Sequence, residues 1–294
     1  MRKLGIVLII AGISIIIACT GGRYLEMTDA GSEAYKNGNY KEALESSEQI
    51  ITEVEAKGKP ATGDVYALAG MAAYELQEYD KSLKYLEKSN QLEYSDENLY
   101  LYLSKNYQRI DNLSKEITAL ENYLLKYPDG SKTGDIRARL LQTCLESENF
   151  GLAMDLWAEM DSTSKGDPGN METWLVLNRM QDNDAVCDSM SQRILDQQPD
   201  NETALKWSAE SHFWKAENSY QYQMKAYKEN RTRKQYSILL KAFKQVNADF
   251  KISRDYFLRL YEMNPNSEYA MYLGNIFTRL DDEKKANYYK NLAN

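Results

Sequence analysis

Residues 31–43 read Gly-Ser-Glu-Ala-Tyr-Lys-Asn-Gly-Asn-Tyr-Lys-Glu-Ala, a stretch that begins and ends with a small residue. Gly31 and Ala43 therefore stand 12 residues apart. Two other pairs of small residues repeat this spacing, namely Gly70 with Ser82 and Gly274 with Ala286. Small side chains let two helices approach closely, while tyrosine and leucine three or four residues away fill the gaps. The spacing predicts helical hairpins in which these small residues face each other.

Weaker copies of the pattern fill the chain between the clear ones. Their apolar and small positions fall into three groups: Tyr100, Leu103, Ser104, Tyr107, Ile117 and Leu120; Leu140, Leu141, Phe150, Ala153, Trp157 and Met160; and Trp174, Leu177, Asn178, Ile194 and Leu195. Prolines 128, 199 and 265 each follow an apolar helical run, where a residue that cannot continue a helix belongs. No Val/Ile/Thr alternation between residues 25 and 294 indicates a strand.

The sixth unit departs from the common spacing. Ala209 and Ser253 occupy the matching positions but stand 44 residues apart, so a segment near 216–250 is an insertion. Apolar residues recur in this segment at steps of three and four, which predicts helix. We expect the first helix to be extended towards Tyr227, a break near 230–232, and another helix after it.

The spacing and its large-residue positions resemble the tetratricopeptide repeat almost position for position. The resemblance covers nearly all of residues 27–292 and is strongest at both ends. It implies an all-α fold over residues 25–294, a right-handed superhelical solenoid of about seven antiparallel hairpins. In such an array, neighbouring repeats bury each other's apolar faces, so no single large core is needed.

The first 18 residues have a different character. Arg2 and Lys3 precede an uncharged run over residues 4–18. A charged start followed by an apolar stretch is the pattern of an export signal, and this stretch is too short to span a bilayer comfortably as a permanent anchor.

The sequence Ile-Ile-Ala-Cys at residues 16–19 resembles the lipobox of bacterial lipoproteins. The resemblance implies removal of residues 1–18, acyl chains such as palmitate on Cys19, and a short lipidated tether over 19–24. Several acyl chains give firm attachment because one chain alone is marginal. The tether lacks an acidic residue, so the resemblance favours the bacterial outer membrane, with the protein facing the periplasm. The alternative is a plain signal anchor in which Cys19 is incidental.

The chain after residue 18 is acidic. Its formal charge of about −10, compared with −8 for the whole sequence, gives it no general attraction for nucleic acid. The motifs of enzymes are missing, since there is no Gly-rich phosphate loop, no nucleophile elbow and no histidine pair. We therefore predict no catalysis, no metal and no cofactor. His212 and the thiols of Cys144 and Cys187 are interpreted as packing residues, and Asp281-Asp282 as a helix cap.

Ligands of tetratricopeptide proteins usually lie on the concave face made by the first helix of each hairpin. Carrying these groove positions over residue by residue selects Lys36, Met71, Tyr74, Lys105, Arg109, Gln142 and Arg179. Basic residues there suit an acidic or carboxylate-bearing segment of a partner. The alternative is that these residues are solvated positions on helix faces.

The insertion reverses the sign of charge. Lys215–Lys251 contains nine basic and three acidic residues, and the central basic set is Lys225, Lys228, Arg231, Arg233, Lys234, Lys241 and Lys244. Such a patch suits an acidic partner, a lipid headgroup layer or peptidoglycan. Ordinary solvated helix charge is the alternative.

Two hypotheses for the function follow. The first is a scaffold or adaptor tethered to the outer membrane, which holds an envelope protein or peptide segment and serves in outer-membrane assembly or envelope maintenance. The second is a glycan-binding lipoprotein of a nutrient-uptake system, because one family of helical-repeat lipoproteins uses aromatic sugar platforms. The four tryptophans lie mostly at packing positions, which favours the first hypothesis. The sequence gives no indication of oligomeric state.

Overall fold

A computed structural model of the chain describes residues 22–293. The export signal and Cys19 lie outside the described residues. The chain divides into two compact units, Met1–Leu156 and Trp157–Asn294.

The first unit is built from consecutive helices joined by short turns. They are α1 (22–36), α2 (Tyr40–Glu55), α3 (Gly63–Glu75), α4 (Tyr79–Gln91), α5 (Glu97–Arg109), α6 (Leu113–Lys126), α7 (Thr133–Glu146) and α8 (Phe150–Glu159), the last of which ends within the second unit. Residues 22–24, which were expected to belong to the tether, are already part of α1.

The second unit contains the remaining helices. They are α9 (Ser162–Gly166), α10 (Pro168–Arg179), α11 (Asp184–Gln197), α12 (Glu202–Glu229), α13 (Arg233–Met263), α14 (Ser267–Arg279) and α15 (Glu283–Ala293). The short helix α9 was not predicted. Its start is capped by Asp161, which accepts bonds from the amides of Thr163 and Ser164. Between residues 22 and 293 the structure contains no strand, so the all-α prediction is confirmed.

The helices of a hairpin cross at the small residues, as the sequence predicts. A Cβ atom on Gly70 would stand 2.6 Å from Leu86 Cγ and 3.1 Å from the Leu86 backbone nitrogen, so only glycine fits between α3 and α4. In the inserted unit, Ser253 Oγ donates a hydrogen bond to the backbone oxygen of Ala209 at 2.7 Å. The expected match across 44 residues is therefore confirmed.

The turn inside each standard hairpin uses one backbone conformation. One residue adopts a positive φ between 53° and 80° in each of six hairpins, namely Gly38, Gln77, Asp111, Glu148, Asp182 and Asp281. The backbone amide of the next residue donates a hydrogen bond to the carbonyl oxygen five residues before that next residue. In the first hairpin this bond runs from Asn39 to Ala34 at 2.8 Å. Most of these positions are not glycine, so the hairpin packing must offset the steric cost of a left-handed residue. The sixth hairpin has no such turn because α12 continues as helix.

The sixth hairpin consists of two long helices. α12 has 28 residues and α13 has 31, and they are separated at residues 230–232, where the break was expected. Tyr220 stacks on Phe243 with ring centroids 5.3 Å apart, and Tyr227 lies 5.6 Å from Tyr236. These ring pairs hold the extended part of the hairpin together.

Both described cysteines, Cys144 and Cys187, are buried and free, as predicted. Burial raises the pKa of each thiol to about 11. Cys187 Sγ lies 3.4 Å from the backbone oxygen of Leu175, 12 residues earlier, so it fills the small-residue position of the fifth hairpin. Among the helices described, none has the length and apolar character needed to cross a membrane.

Replacing Gly70 by Ala should lower the free energy of unfolding by about 1–2 kcal/mol, because crowding against Leu86 exceeds the gain in helix propensity. The matched control is Gly134→Ala in α7, where a Cβ would meet nothing within 4 Å. That change should leave stability unchanged or raise it by up to about 1 kcal/mol. Urea denaturation followed by circular dichroism measures both. Equal effects of the two changes would contradict the close crossing of α3 and α4.

Candidate functional site

The first helices of the first three hairpins, α1, α3 and α5, lie side by side. A Cβ on Gly31 of α1 would stand 3.3 Å from Leu68 of α3, and α3 in turn contacts α5. Their side chains form what we call the tyrosine surface, which comprises Tyr35, Tyr74, Glu75, Tyr79, Tyr102, Lys105 and Arg109. Tyr79 is contributed by the start of α4.

A chain of hydroxyl groups joins α1 to α5. The hydroxyl oxygens of Tyr35 and Tyr102 are 2.7 Å apart, and the Tyr102 hydroxyl donates to the carboxylate of Glu75 on α3. Tyr102 therefore accepts from Tyr35 while it donates to Glu75. Burial, and then the bond to Glu75, raises the pKa of Tyr102. Burial likewise raises the pKa of Tyr35. These side chains are fixed in place before any ligand arrives.

Aromatic rings extend the surface along α3. The Tyr74 ring lies 5.1 Å from Tyr102 and 5.3 Å from Tyr79, in edge-to-face arrangements. Such pairs contribute about 0.5–1.5 kcal/mol beyond their buried area. Burial raises the pKa of Tyr74. The rings give the surface a rigid aromatic floor.

Two cations lie on this floor. Lys105 Nζ is 4.6 Å from the centre of the Tyr102 ring, and the Arg109 guanidinium carbon is 3.5 Å from the centre of the Tyr79 ring. Neither cation forms a salt bridge with any side chain of residues 22–293. The rings hold the charged groups in position without neutralising them. This arrangement can accept a carboxylate from outside.

The structure brings together only part of the predicted groove. Tyr74, Lys105 and Arg109 are neighbours in the tyrosine surface, while Lys36 on α1 and Gln142 on α7 are exposed and take no part in it. Met71 is only 8% exposed, so a partner would contact it only after side chains moved.

Arg179 of the second unit is already engaged. Its Nη2 lies 2.7 Å from a carboxylate oxygen of Glu210, and its guanidinium lies 5.9 Å from the centre of the Trp207 ring. A cation with this carboxylate partner is less free to bind a new one. The prediction that Arg179 serves partner binding receives no support from its contacts.

Four residues of the tyrosine surface were not predicted from the sequence to belong to it, namely Tyr35, Glu75, Tyr79 and Tyr102. Tyr102 stands one helical turn before Lys105, a spacing that places both on one face and was a readable signal. The contact between Tyr35 and Tyr102 spans 67 residues and had no such signal.

In the second unit, a cavity of about 340 Å³ opens on α12 and α14, the first helices of the sixth and seventh hairpins. Its lining includes Phe213, Trp214, Glu217, Met271, Tyr272 and Arg279. Trp214 is 50% exposed, unlike Trp174 and Trp207, which are buried as expected. At the rim, Arg279 makes two bonds of 2.8 and 2.6 Å to Glu217 and so lowers the pKa of that carboxyl.

His212 is bound to a buried carboxylate. Its Nδ1 lies 2.9 Å from Asp249 Oδ1, and Lys215 Nζ lies 3.4 Å from the same oxygen. Burial alone would raise the pKa of Asp249, but hydrogen bonds from Gln245 and His212 and the charge of Lys215 lower it. Within residues 22–293 no serine, threonine or cysteine is bonded to His212, and no group of His, Cys, Asp and Glu has the arrangement of a metal site.

The basic residues of the insertion are all exposed. Lys225 and Lys228 lie at the end of α12 and Arg231 in the break, while Arg233, Lys234, Lys241 and Lys244 lie on α13. The structure therefore brings this predicted set together at one end of the sixth hairpin.

Replacing Tyr102 by Phe should lower the free energy of unfolding by about 1–2 kcal/mol, because Glu75 and Tyr35 both lose a partner. Tyr102 has a raised pKa in the folded state, so its stabilisation is complete below its ordinary value of 10.0 and is lost as the pH rises above it. Urea denaturation above about pH 10 should therefore show a shallower loss of stability for Tyr102→Phe than for the parent.

The control is Tyr222→Phe, because Tyr222 is 69% exposed. This change should leave the free energy of unfolding at neutral pH unchanged. A Tyr102→Phe protein as stable as the parent would show that the chain of hydroxyl groups contributes nothing.

Comparison with known proteins identifies the fold. No protein-family model matches the chain, and no curated protein matches it. Among solved structures, the C-terminal part of a tetratricopeptide repeat-containing protein from Cytophaga hutchinsonii is 17% identical, covers 90% of this chain and 93% of its own, and has a TM-score of 0.55. YrrB, described as a tetratricopeptide repeat protein with an unusual peptide-binding site, is 13% identical, covers 61% of this chain and 89% of its own, and has a TM-score of 0.52. The chain has the tetratricopeptide repeat fold.

Proposed function

We propose that this chain is a non-catalytic scaffold whose tyrosine surface binds an acidic peptide segment of a partner protein. One observation carries the proposal: Lys105 and Arg109 are held on tyrosine rings, and neither has a carboxylate partner among the described residues. A peptide carboxylate placed there would form a charge-assisted hydrogen bond with a cation that is already oriented.

The rigidity of the surface supports the same function. Tyrosine offers a large contact area with few rotatable bonds, so little conformational entropy is lost on binding. The bonds from Tyr35 to Tyr102 and from Tyr102 to Glu75 reduce that loss further. A peptide-binding site in YrrB, which shares the fold, is compatible with this proposal.

Charge adds selectivity. The sequence as a whole carries a net charge of −8, so the net charge of the chain repels an acidic segment. The cations on the tyrosine surface provide a local exception. A carboxylate of an acidic peptide would be attracted to these cations, which the tyrosine rings already hold in a defined orientation.

We also place the scaffold in the bacterial envelope, attached by a lipid on Cys19 at the outer membrane and facing the periplasm. The support comes from the sequence of residues 16–19 and the export pattern before it. The partner would then be an envelope protein, and the scaffold would serve in outer-membrane assembly or envelope maintenance.

A second candidate function is glycan binding, and the cavity beside Trp214 favours it. The half-exposed indole, with Tyr272 and the Arg279–Glu217 pair nearby, offers a ring for stacking and polar groups for hydroxyls. It ranks second because Trp157 is stacked on Trp174 at 4.6 Å and provides no second free platform there.

Peptide display on the full chain should select sequences rich in Asp and Glu. A selected peptide, labelled and titrated by fluorescence anisotropy, should bind about tenfold more weakly to Lys105→Gln or Arg109→Gln, because a charged hydrogen bond is lost. Lys84→Gln removes an exposed charge from α4 and is the matched control, with unchanged affinity.

Selection of neutral or basic peptides would contradict the proposed acidic specificity. Failure to select any peptide, together with quenching of Trp214 fluorescence by oligosaccharides, would favour the second candidate.

The proposal of a lipid anchor is tested by replacing Cys19. Cys19→Ser should abolish labelling by a fatty-acid analogue, because the acylated sulfur is removed. Cys144→Ser, at a buried thiol, is the control and should keep the label. Labelling that persists in Cys19→Ser would rule out lipidation at this site.

A further inference from the structure

We propose that the outer part of the sixth hairpin, residues 218–246, docks onto the surface of a bilayer that contains anionic phospholipids. We call this segment the hairpin tip. The proposal does not depend on the lipid at Cys19 or on peptide binding at the tyrosine surface.

The hairpin tip extends beyond the hairpin beside it. At 1.5 Å per residue, α12 is about 42 Å long, whereas α14 is about 20 Å long. Ser253 and Ala209 mark the crossing of the sixth hairpin, and the tip lies on the far side of it. Arg279 reaches the tip at Tyr220, 4.3 Å from the ring centre, and the ring pairs of the tip join only α12 and α13.

The tip has a strong positive charge. It contains seven basic residues and a single acidic one, Glu229. All seven are exposed, and none forms an ion pair with a side chain in the described part of the chain. Lys215, just outside the tip, differs because it is paired with Asp249. The charge of the tip is therefore free to meet an anionic surface.

Exposed apolar side chains lie among these cations. Tyr222 is 69% exposed, Tyr236 48%, Ile238 40% and Leu240 48%. A cluster of this kind on a water-facing helix costs solubility and indicates an interaction site. Of these four side chains, Tyr236 also contacts the Tyr227 ring, 5.6 Å away.

The apolar and basic residues share helix faces. On α13, Arg233, Tyr236, Leu240 and Lys244 follow one another at steps of three and four, which places them along one face. Lys234, Ile238 and Lys241 form a neighbouring stripe by the same rule. Aliphatic residues flanked by lysine and arginine are the pattern of helices that lie at the interface of a membrane.

The chemistry fits lipid headgroups better than an acidic protein. Five of the seven cations are lysines, which act as mobile point charges, whereas protein interfaces favour arginine in desolvated pockets. A headgroup layer adapts to scattered charges on both helices and accepts short apolar side chains beneath them. Each lysine near such a layer strengthens attachment by about fivefold.

The experiment uses the full chain reconstituted into vesicles and measures the fluorescence of a probe attached to the hairpin tip. The Tyr222→Cys variant is labelled with a polarity-sensitive fluorophore. The parent chain, treated in the same way, measures the background from its own thiols. Of these, Cys144 and Cys187 are buried. On vesicles of phosphatidylcholine with phosphatidylglycerol, we expect emission to shift to shorter wavelength and quenching by iodide to fall several-fold. On phosphatidylcholine alone we expect neither change.

Two variants separate charge from apolar contact. Lys225, Lys241 and Lys244 changed together to Gln should remove the shift, whereas the same change at three exposed lysines elsewhere, Lys59, Lys84 and Lys284, should preserve it. Ile238→Ser with Leu240→Ser should reduce the shift at unchanged helicity. Salt at about 1 M, where the screening length is about 3 Å, should abolish the shift.

Equal emission on the two kinds of vesicle would overturn the proposal, and so would a shift that survives the triple Gln change in the tip. A shift caused by polyglutamate on phosphatidylcholine vesicles, with none on phosphatidylglycerol, would assign the tip to an acidic protein instead. Changes at Lys105 or Arg109 should not affect this readout, so failure of the proposed peptide site is distinguishable.

Discussion

Close crossing of two helices at a small residue is the constraint on which the rest of the structure depends. Gly70 allows α4 to approach α3 so closely that no Cβ fits, and Ser253 and Cys187 each bond a backbone oxygen of the facing helix. These contacts fix the distance and register of the two helices within a hairpin. The positions of the exposed side chains, including those of the tyrosine surface, follow from that register.

The third hairpin shows what happens when a large residue takes a small residue's place. Glu116 lies 12 residues after Ser104 and is fully buried. Arg139 of the next hairpin satisfies it with bonds of 2.6 and 3.0 Å and also binds Glu146. A buried carboxylate is tolerated only with such a partner. The ion pair therefore links α6 to α7 in addition to the apolar contacts between hairpins.

The sequence predicted those features that are set within one hairpin. The spacing of Gly31 and Ala43, the long unit between Ala209 and Ser253 and the break at 230–232 all depend on local periodicity, which the chain displays directly. Repeat proteins make this possible because each unit contacts only its neighbours. The burial of Cys187 was predicted, but its position 12 residues after Leu175, which follows the repeat spacing, was not recognised from the sequence.

Features that join separate hairpins could not be predicted in the same way. The repeat pattern states which face Met71 and Tyr102 occupy, but not that Tyr102 reaches Tyr35 or that Met71 is buried. Such contacts depend on side-chain rotamers and on the distance between first helices. Arg179 is an example. Its position in the repeat suited a ligand, but its side chain already forms a salt bridge with Glu210.

The two cationic surfaces differ in how their charges are held, and this difference separates their functions. Arg109 lies 3.5 Å from the Tyr79 ring centre and has a defined direction, so it can select a carboxylate at one position. The lysines of the hairpin tip have no partner among the described residues and keep their rotamer freedom. Ordering them against one specific protein would cost that entropy, whereas a fluid layer of headgroups can adjust to them. An oriented cation thus suits a specific peptide, and mobile cations with exposed apolar neighbours suit a membrane surface.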